Sequence, residues 1–230
     1  ATTALQRTYD TYLAAADEFA GVEVLSTFHL NYGTFCSLTD EPILSVADIA
    51  GRRMWALPGT PARLLEQLGI SFVAGPAVGI HEYVSRNVVD GFVGINYDSI
   101  TGFNVGPYTR SCTLTSPDVF SVTFIMFLNS RVWNSISPAD QEAIRALSGE
   151  AFGLQVAEAV DRTEATARAE LEALGVTFTQ ASPEFVAELV AAGQPLVDEW
   201  LASAAAAGVD GQAALDYYQS EMRAALTRGQ

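Results

Sequence analysis

Apolar positions along the chain recur at two periods, and each change of period marks an element boundary. Residues 4–19 read as a helix: Leu5, Tyr9, Tyr12, Leu13 and Phe19 fall near helical spacing and Gly21 stops it. Val22–Leu30 alternates, with Val22, Val24 and Phe28 on one face, and predicts a strand. Pro42–Ala50 predicts a turn and a short helix, with Ser45 as N-cap and Asp48 three residues on, close to a capping box. Arg53–Ala56 predicts a short strand and Pro58-Gly59 a turn. Thr60 is then expected to cap a helix with Pro61 in its first turn, running to Leu68. Ile70–Val73 predicts a strand, about Val78–Asn87 a helix, and Phe92–Ile95 a strand after Asp90-Gly91. Strand–helix–strand–helix–strand is the pattern of a parallel α/β sheet. Arg110–Thr115 and Phe120–Asn129 predict two further strands.

The pattern changes after Asn129. Ser137-Pro138 opens a helical stretch that reaches about Leu174, carrying Ile144, Leu147, Phe152, Val156, Val160 and Leu171 and interrupted only by Gly149 and Gly153. A helix of about 35 residues would span ~50 Å. That length predicts a spine shared by two lobes; a coiled-coil tail fits the irregular apolar spacing and the glycines less well. Val176–Thr179 predicts a strand, Ser182-Pro183-Glu184 starts another helix with Pro195 as a kink, and Gln212–Leu226 predicts the last helix.

Composition narrows the chemistry. The chain has 230 residues, 49% hydrophobic and 17% charged, a globular balance. All 12 basic residues are arginine. The absence of lysine excludes a Schiff base, a pyridoxal phosphate site and a Walker-type loop. A net charge of −15 argues against nucleic acid as a partner. His29, His81, Cys36 and Cys112 offer no zinc spacing and no CxxC, so no metal and no cofactor are expected. The two cysteines permit one disulfide or two buried thiols, and spacing alone favours thiols. The most apolar run, Val119–Leu128, is strand-length, so a chain that does not itself span a membrane is expected. The start at Ala1 rather than Met implies a segment upstream that was removed or not included.

Enzyme signatures are sparse. Cys36 with His29 or His81 meets the residue requirement of a cysteine hydrolase, but Gly33-Thr34-Phe35-Cys36-Ser37 matches no nucleophile motif and a small buried residue on a strand is the simpler reading. Neither GxSxG nor HExxH occurs. Aromatics beside turns stand out instead. Tyr32 and Phe35 follow the first strand, Trp55 precedes Pro58-Gly59, and Phe92 follows Asp90-Gly91. Strand ends in an α/β sheet are where clefts form.

Seven segments in order resemble the solute receptors of tripartite ATP-independent periplasmic (TRAP) transporters, the dicarboxylate-receptor (DctP-type) family. They are Gly21-Val22-Glu23-Val24-Leu25, Pro42 to Gly51, Leu68-Gly69-Ile70, Asn87-Val88-Val89-Asp90-Gly91, Asn129 through Trp133, Ser137 to Gln141, and Leu174-Gly175-Val176 with Ser182 to Phe185. The resemblance implies a two-lobed, periplasmic-binding-protein-like (type II) α/β fold with long connecting strands and a spine helix. It implies that the chain corresponds to the later two-thirds of such a receptor, with one lobe incomplete. Residues 1–31 and 120–165 would remain of lobe I, and residues 32–119 and 166–230 would form lobe II.

The same resemblance implies a periplasmic receptor that delivers a small organic solute to the membrane subunits of the transporter, with no catalytic role. The family's carboxylate-clamp arginine falls on Trp55, and Arg53 takes the place of a lysine. Two other polar positions fall on Phe35 and Gly94. A bidentate guanidinium–carboxylate pair cannot form from these residues. The ligand is therefore expected to be aromatic, apolar or cationic, met by Phe35, Trp55 and Phe92 and oriented by His81, Asn96 and Tyr97; a one-residue shift would instead make Arg53 the clamp. The alternatives are a small α/β cysteine hydrolase using Cys36 and His81, and an interaction protein dimerising through its long helix.

Overall fold

The computed structural model describes residues 1–31 and 34–228. The expected lining residue Tyr32 lies outside the described residues.

Local chemistry sets most of the boundaries. The first helix, α1 (Thr2–Thr8), continues as a π-helical turn over Tyr9–Leu13 and a short 3-10 turn over Ala14–Ala16, so the expected helix over 4–19 is three helical pieces. Strand β1 covers Val22–Asn31 and β2 Thr34–Ser37. Helix α2 (Val46–Ala50) starts as expected: Ser45 Oγ accepts from Asp48 N, and the Asp48 carboxylate accepts from Ser45 Oγ and Leu44 N. A cap of this kind contributes about 1 kcal/mol. Strand β3 (Met54–Ala56) leads to α3 (Thr60–Gln67), whose N-cap is Gly59 rather than Thr60. Gly59 has φ +95°, which disfavours a side chain there and moves the boundary one residue upstream.

Strand β4 (Phe72–Ala74), helix α4 (Ile80–Ser85) and strand β5 (Gly91–Val93) follow. Helix α5 (Tyr97–Gly102), which hydrophobic periodicity does not show, is N-capped by Asn96. Then come β6 (Ser111–Leu114), β7 (Ser121–Asn129), α6 (Ser130–Trp133), α7 (Pro138–Leu147), α8 (Glu150–Ala173), β8 (Thr177–Gln180), α9 (Pro183–Ala206) and α10 (Gly211–Arg228).

The expected helix from Pro138 to Leu174 is two helices. Ser148 turns extended and Gly149 takes φ +62°, donating its N–H to Leu25 O at 2.8 Å. The longer piece, α8, has 24 residues, a length of ~36 Å. Gly153 stays helical: a Cβ there would lie 2.6 Å from the Thr2 methyl, so its bareness serves packing.

The chain divides into two compact units. The first holds Ala1–Leu30, Val122–Val160 and Val197–Gln230, the second Asn31–Ser121 and Asp161–Leu196. The segment from Val197 onward differs from the expected lobe assignment, because α10 packs on α1: Tyr217 meets the Tyr12 ring at 5.5 Å and Glu221 accepts from Arg7 at 2.7 Å.

In the first unit, β1 and β7 form a two-stranded sheet. The side of β1 that carries Leu25 O, Thr27 N and His29 N is occupied by Gly149 N, Gln6 Oε1 and Thr2 Oγ1. Phe28 stacks on Phe124 at 5.6 Å and meets Phe152 edge-on at 6.1 Å. His29 lies between Thr123 Oγ1 (3.3 Å) and Tyr218 Oη (3.1 Å).

The second unit holds a six-stranded sheet in the order β4-β3-β5-β2-β6-β8. β4, β3 and β5 run parallel, β6 and β8 run parallel, and β2 runs antiparallel to both of its neighbours, β5 and β6. The expectation of a parallel sheet therefore holds except at β2. The twelve largest fully buried side chains among the described residues, Trp55, Phe35 and Phe92 foremost, all belong to this unit.

Cys36 and Cys112 are directly opposite in β2 and β6, with Cα atoms 4.1 Å apart, and form a disulfide. This corrects the expectation of free thiols. It also removes the cysteine-hydrolase reading, because a bonded and fully buried Cys36 offers no thiolate.

Candidate functional site

Strand direction fixes which end of the sheet can form a site. Crevices in open α/β sheets lie outside the carboxyl ends of the strands. In the second unit that edge collects Gly75 after β4, Leu57 after β3, Gly94 to Asn96 after β5, Thr34 at the start of β2, Thr115 after β6 and Ala181 after β8.

The registers also sort the side chains by face. Val73, Trp55, Phe92, Cys36, Cys112 and Phe178 form one row across all six strands. Ala74, Ala56, Val93, Phe35, Thr113 and Thr179 form the next row, nearer the carboxyl edge. Successive residues of a strand point to opposite faces. Trp55 and Phe92 therefore share one face with the disulfide and Phe178, whereas Phe35 points to the other.

Each environment follows. Phe35 is fully buried between the Phe120 ring at 6.3 Å and the Phe185 ring at 5.9 Å. Trp55 is fully buried, and its indole Nε1 has no hydrogen-bond partner among the described residues. Gly94 has φ +95°, and a Cβ there would lie 2.8 Å from both Leu57 Cβ and Pro61 Cγ. The turn between β5 and α5 thus excludes any side chain at the position where the resemblance places a polar residue.

Asn96 is held at both ends of its amide. Its Oδ1 accepts from Ser99 N at 3.1 Å, and its Nδ2 donates to Glu164 Oε1 at 2.7 Å. Glu164, on α8, also accepts from Tyr97 N and Asp98 N, both at 3.0 Å. Burial raises the Glu164 carboxyl above its ordinary range, and these donors offset part of the rise. Nothing in the sequence singles out Glu164 among 27 acidic residues.

Tyr97 packs edge-on against Phe178 at 5.2 Å, and burial pushes its hydroxyl above the ordinary phenol range, partly opposed by a hydrogen bond with Thr34. The Arg168 guanidinium lies 4.5 Å over the Phe178 ring. Its Nε donates to Glu172 at 3.0 Å.

Two expected residues stand elsewhere. Arg53 precedes β3, at the amino edge of the strands, and pairs there with Asp90, which precedes β5. Its Nε donates to Asp90 Oδ2 at 2.9 Å, its Nη2 meets Asp90 Oδ1 at 2.5 Å, and its Nη1 donates to Asn87 O at 3.0 Å. The Arg53 hydrogen bonds hold the Asp90 carboxyl below its ordinary range. His81, on α4, meets Asn104 O at 3.1 Å and the Tyr108 ring at 5.9 Å, on the connection from α5 to β6. Phe35, Trp55, Phe92, Gly94 and Asn96 are thus brought to three adjacent strands and the turn after β5, and Arg53 and His81 are not.

Among the described residues no group of His, Cys, Asp and Glu is arranged to hold a metal ion. No helix among them is long and apolar enough to cross a membrane.

Comparison with known proteins agrees with this architecture. The sequence model of the family described as "Bacterial extracellular solute-binding protein, family 7" matches residues 2–203. A curated relative from Comamonas testosteroni, named outer membrane transporter protein TsaT, is 35% identical over 221 residues; these are 96% of this chain and 65% of the relative. The chain thus spans just under two-thirds of that protein. A TRAP periplasmic solute-binding protein from Bordetella bronchiseptica, solved with (R)- and (S)-mandelate bound, superposes with a TM-score of 0.87 at 26% identity, over 96% of this chain and 70% of that one. A marine metagenome TRAP solute-binding protein described as specific for aromatic acid ligands, in complex with 3-hydroxybenzoate, gives a TM-score of 0.82 at 26% identity, over 95% and 68%. The fold is α/β of the two-lobed, periplasmic-binding-protein-like (type II) class. On its sequence and its fold, the chain belongs to the bacterial extracellular solute-binding protein family 7.

Proposed function

We propose that this chain forms part of an extracytoplasmic receptor that binds a small aromatic carboxylic acid and delivers it to the membrane subunits of a TRAP-type transporter. The observation that carries the reading is that Trp55 and Phe92 are neighbours in the middle of β3 and β5, with Gly94 and Asn96 in the turn that follows at the carboxyl edge. An apolar, aromatic-rich setting with a few fixed polar groups suits an aromatic ligand better than a chain dicarboxylate. The similar proteins solved with mandelate and 3-hydroxybenzoate support that ligand class.

Arg53 is not the carboxylate clamp in this reading. Asp90 neutralises it at the opposite edge of the sheet. Arg168 supplies the positive charge instead: its guanidinium lies over Phe178, in the same strand-crossing row as Trp55 and Phe92, with its Nε donating to Glu172.

The test is calorimetry on the full-length protein with 3-hydroxybenzoate, mandelate, a chain dicarboxylate and benzylamine. The expected result is binding of the aromatic acids alone. Arg53→Met should leave that affinity within about twofold, and Arg168→Met should weaken it at least about tenfold. Binding of the dicarboxylate or the amine in preference would overturn the ligand class.

A further inference from the structure

Two buried side-chain polar atoms of the second unit, Trp55 Nε1 and Ser111 Oγ, have no protein partner among the described residues, and the first of them lies beside a gap. Trp55 Nε1 is buried and donates to nothing among the described residues. An indole N–H is a donor only, and a buried donor left unmade is costly. Val73 is level with Trp55 in the β3–β4 register, and Gly75 lies two residues further toward the carboxyl edge. A Cβ built on Gly75 would lie 3.7 Å from Trp55 Nε1 and 3.8 Å from Tyr83 Oη. The bare glycine thus leaves a gap of about one heavy atom, faced by an indole N–H and a phenol hydroxyl. Gly75 is itself partly exposed, so the gap lies beside solvent-reaching backbone at the edge where the ligand is proposed to bind.

We infer that Trp55 Nε1 and Tyr83 Oη form a subsite for one oxygen atom of the bound solute, seated against Gly75. This rests on the receptor reading above and refines it. Trp55 recognises the solute through its N–H edge and not by stacking, because the ring faces are closed by the core. The chemistry required is a hydrogen-bond acceptor, such as a carboxylate oxygen or a ring hydroxyl. Tyr83 can donate to the same atom or accept from a hydroxyl, so the pair favours an acid that carries an oxygen at this position over one that presents only C–H.

Gly75→Ala is the cleanest probe. Its methyl would make ordinary contacts at 3.7–3.9 Å with Trp55 and Tyr83, so the fold should accept it while the gap is filled. The full-length protein, labelled with ¹⁵N, would be titrated with 3-hydroxybenzoate and with (R)-mandelate. Trp55→Phe identifies the Trp55 indole resonance. The expected result is a downfield move of that resonance on binding, with affinity at least about tenfold weaker in Gly75→Ala and in Trp55→Phe. Unfolding midpoints confirm that Gly75→Ala is folded. Binding that leaves the Trp55 resonance in place, or equal affinity in Gly75→Ala, overturns the subsite and leaves the receptor reading standing. A Trp55 N–H already bonded to water in the free protein and unchanged by ligand does the same. Failure of the wild-type protein to bind either acid overturns both.

Discussion

Trp55 and Phe35 point to opposite faces of one sheet. The β2–β5 and β3–β5 registers place Cys36, not Phe35, in the row of Trp55, and adjacent residues of β2 alternate. The two aromatics cannot close on a ligand as the two sides of a stack. Phe35 packs instead with Phe120 and Phe185. Phe35→Ala should therefore destabilise the protein by about 3–5 kcal/mol, the usual range for a buried phenylalanine. Chemical denaturation measures the loss. Under conditions where the variant remains folded, its affinity for an aromatic acid should stay near that of wild type.

Glu164 is a positioning residue for the turn that carries Asn96. Replacement by Ala leaves Asn96 Nδ2, Tyr97 N and Asp98 N without their shared acceptor. A loss of about 1–3 kcal/mol is expected at neutral pH. The pH dependence has a definite sign. Burial raises the folded-state pKa, so the folded protein binds the proton more tightly than the unfolded chain. The contribution of Glu164 to stability is fully present below the ordinary glutamate pKa and falls as pH rises through the raised value. Urea midpoints across that range should rise more steeply with pH in Glu164→Ala than in wild type, the difference being the Glu164 contribution.

His29 gives the opposite slope. Its pKa is lowered from 6.5 to about 4, chiefly by burial. Between those values the unfolded chain binds a proton that the folded protein refuses. Stability due to His29 is present above pH 6.5 and is lost as pH falls toward 4, at no more than ~1.4 kcal/mol per pH unit. His29→Gln should flatten unfolding free energy over this range. An unaltered slope in the variant would assign it to other groups.

The disulfide closes a loop between residues 76 apart in sequence. In the chain-entropy model a loop of that length contributes about 4–5 kcal/mol. Paired Cys36→Ala and Cys112→Ala substitutions should lower the unfolding free energy by about that amount. The paired variant should also lose the sensitivity of wild type to reductant.

The features that the sequence reveals are those set by neighbours in the chain. Ser45 and Asp48 announce the start of α2, Ser137-Pro138 the start of α7, and Asp90-Gly91 the start of β5, because capping and turn chemistry act within a few residues. What stays hidden depends on partners far along the chain. The reversed direction of β2 and the pairing of Cys36 with Cys112 follow from strand order, which no local spacing encodes. Gly149 and Gly153 look alike in sequence. One breaks a helix because its N–H is drawn to Leu25 O, and the other packs bare against Thr2 within a continuous helix. Within the candidate site the aromatic positions are legible from their place beside turns. Their faces, and the role of Glu164, require the register.

The break at Gly149 has a second effect through the atom it touches. An unpaired strand side is a template on which another chain can extend a sheet, and proteins guard such sides. Along β1 that side is spoken for at Leu25 O by Gly149 N, at Thr27 N by Gln6 Oε1 and at His29 N by Thr2 Oγ1. Helix α1 and the break between α7 and α8 thus act as a lid over the backbone of β1, made of one main-chain amide and two side chains in place of a strand. Growth of this sheet by a foreign strand is blocked along β1, and any strand that joins the sheet must add beside β7.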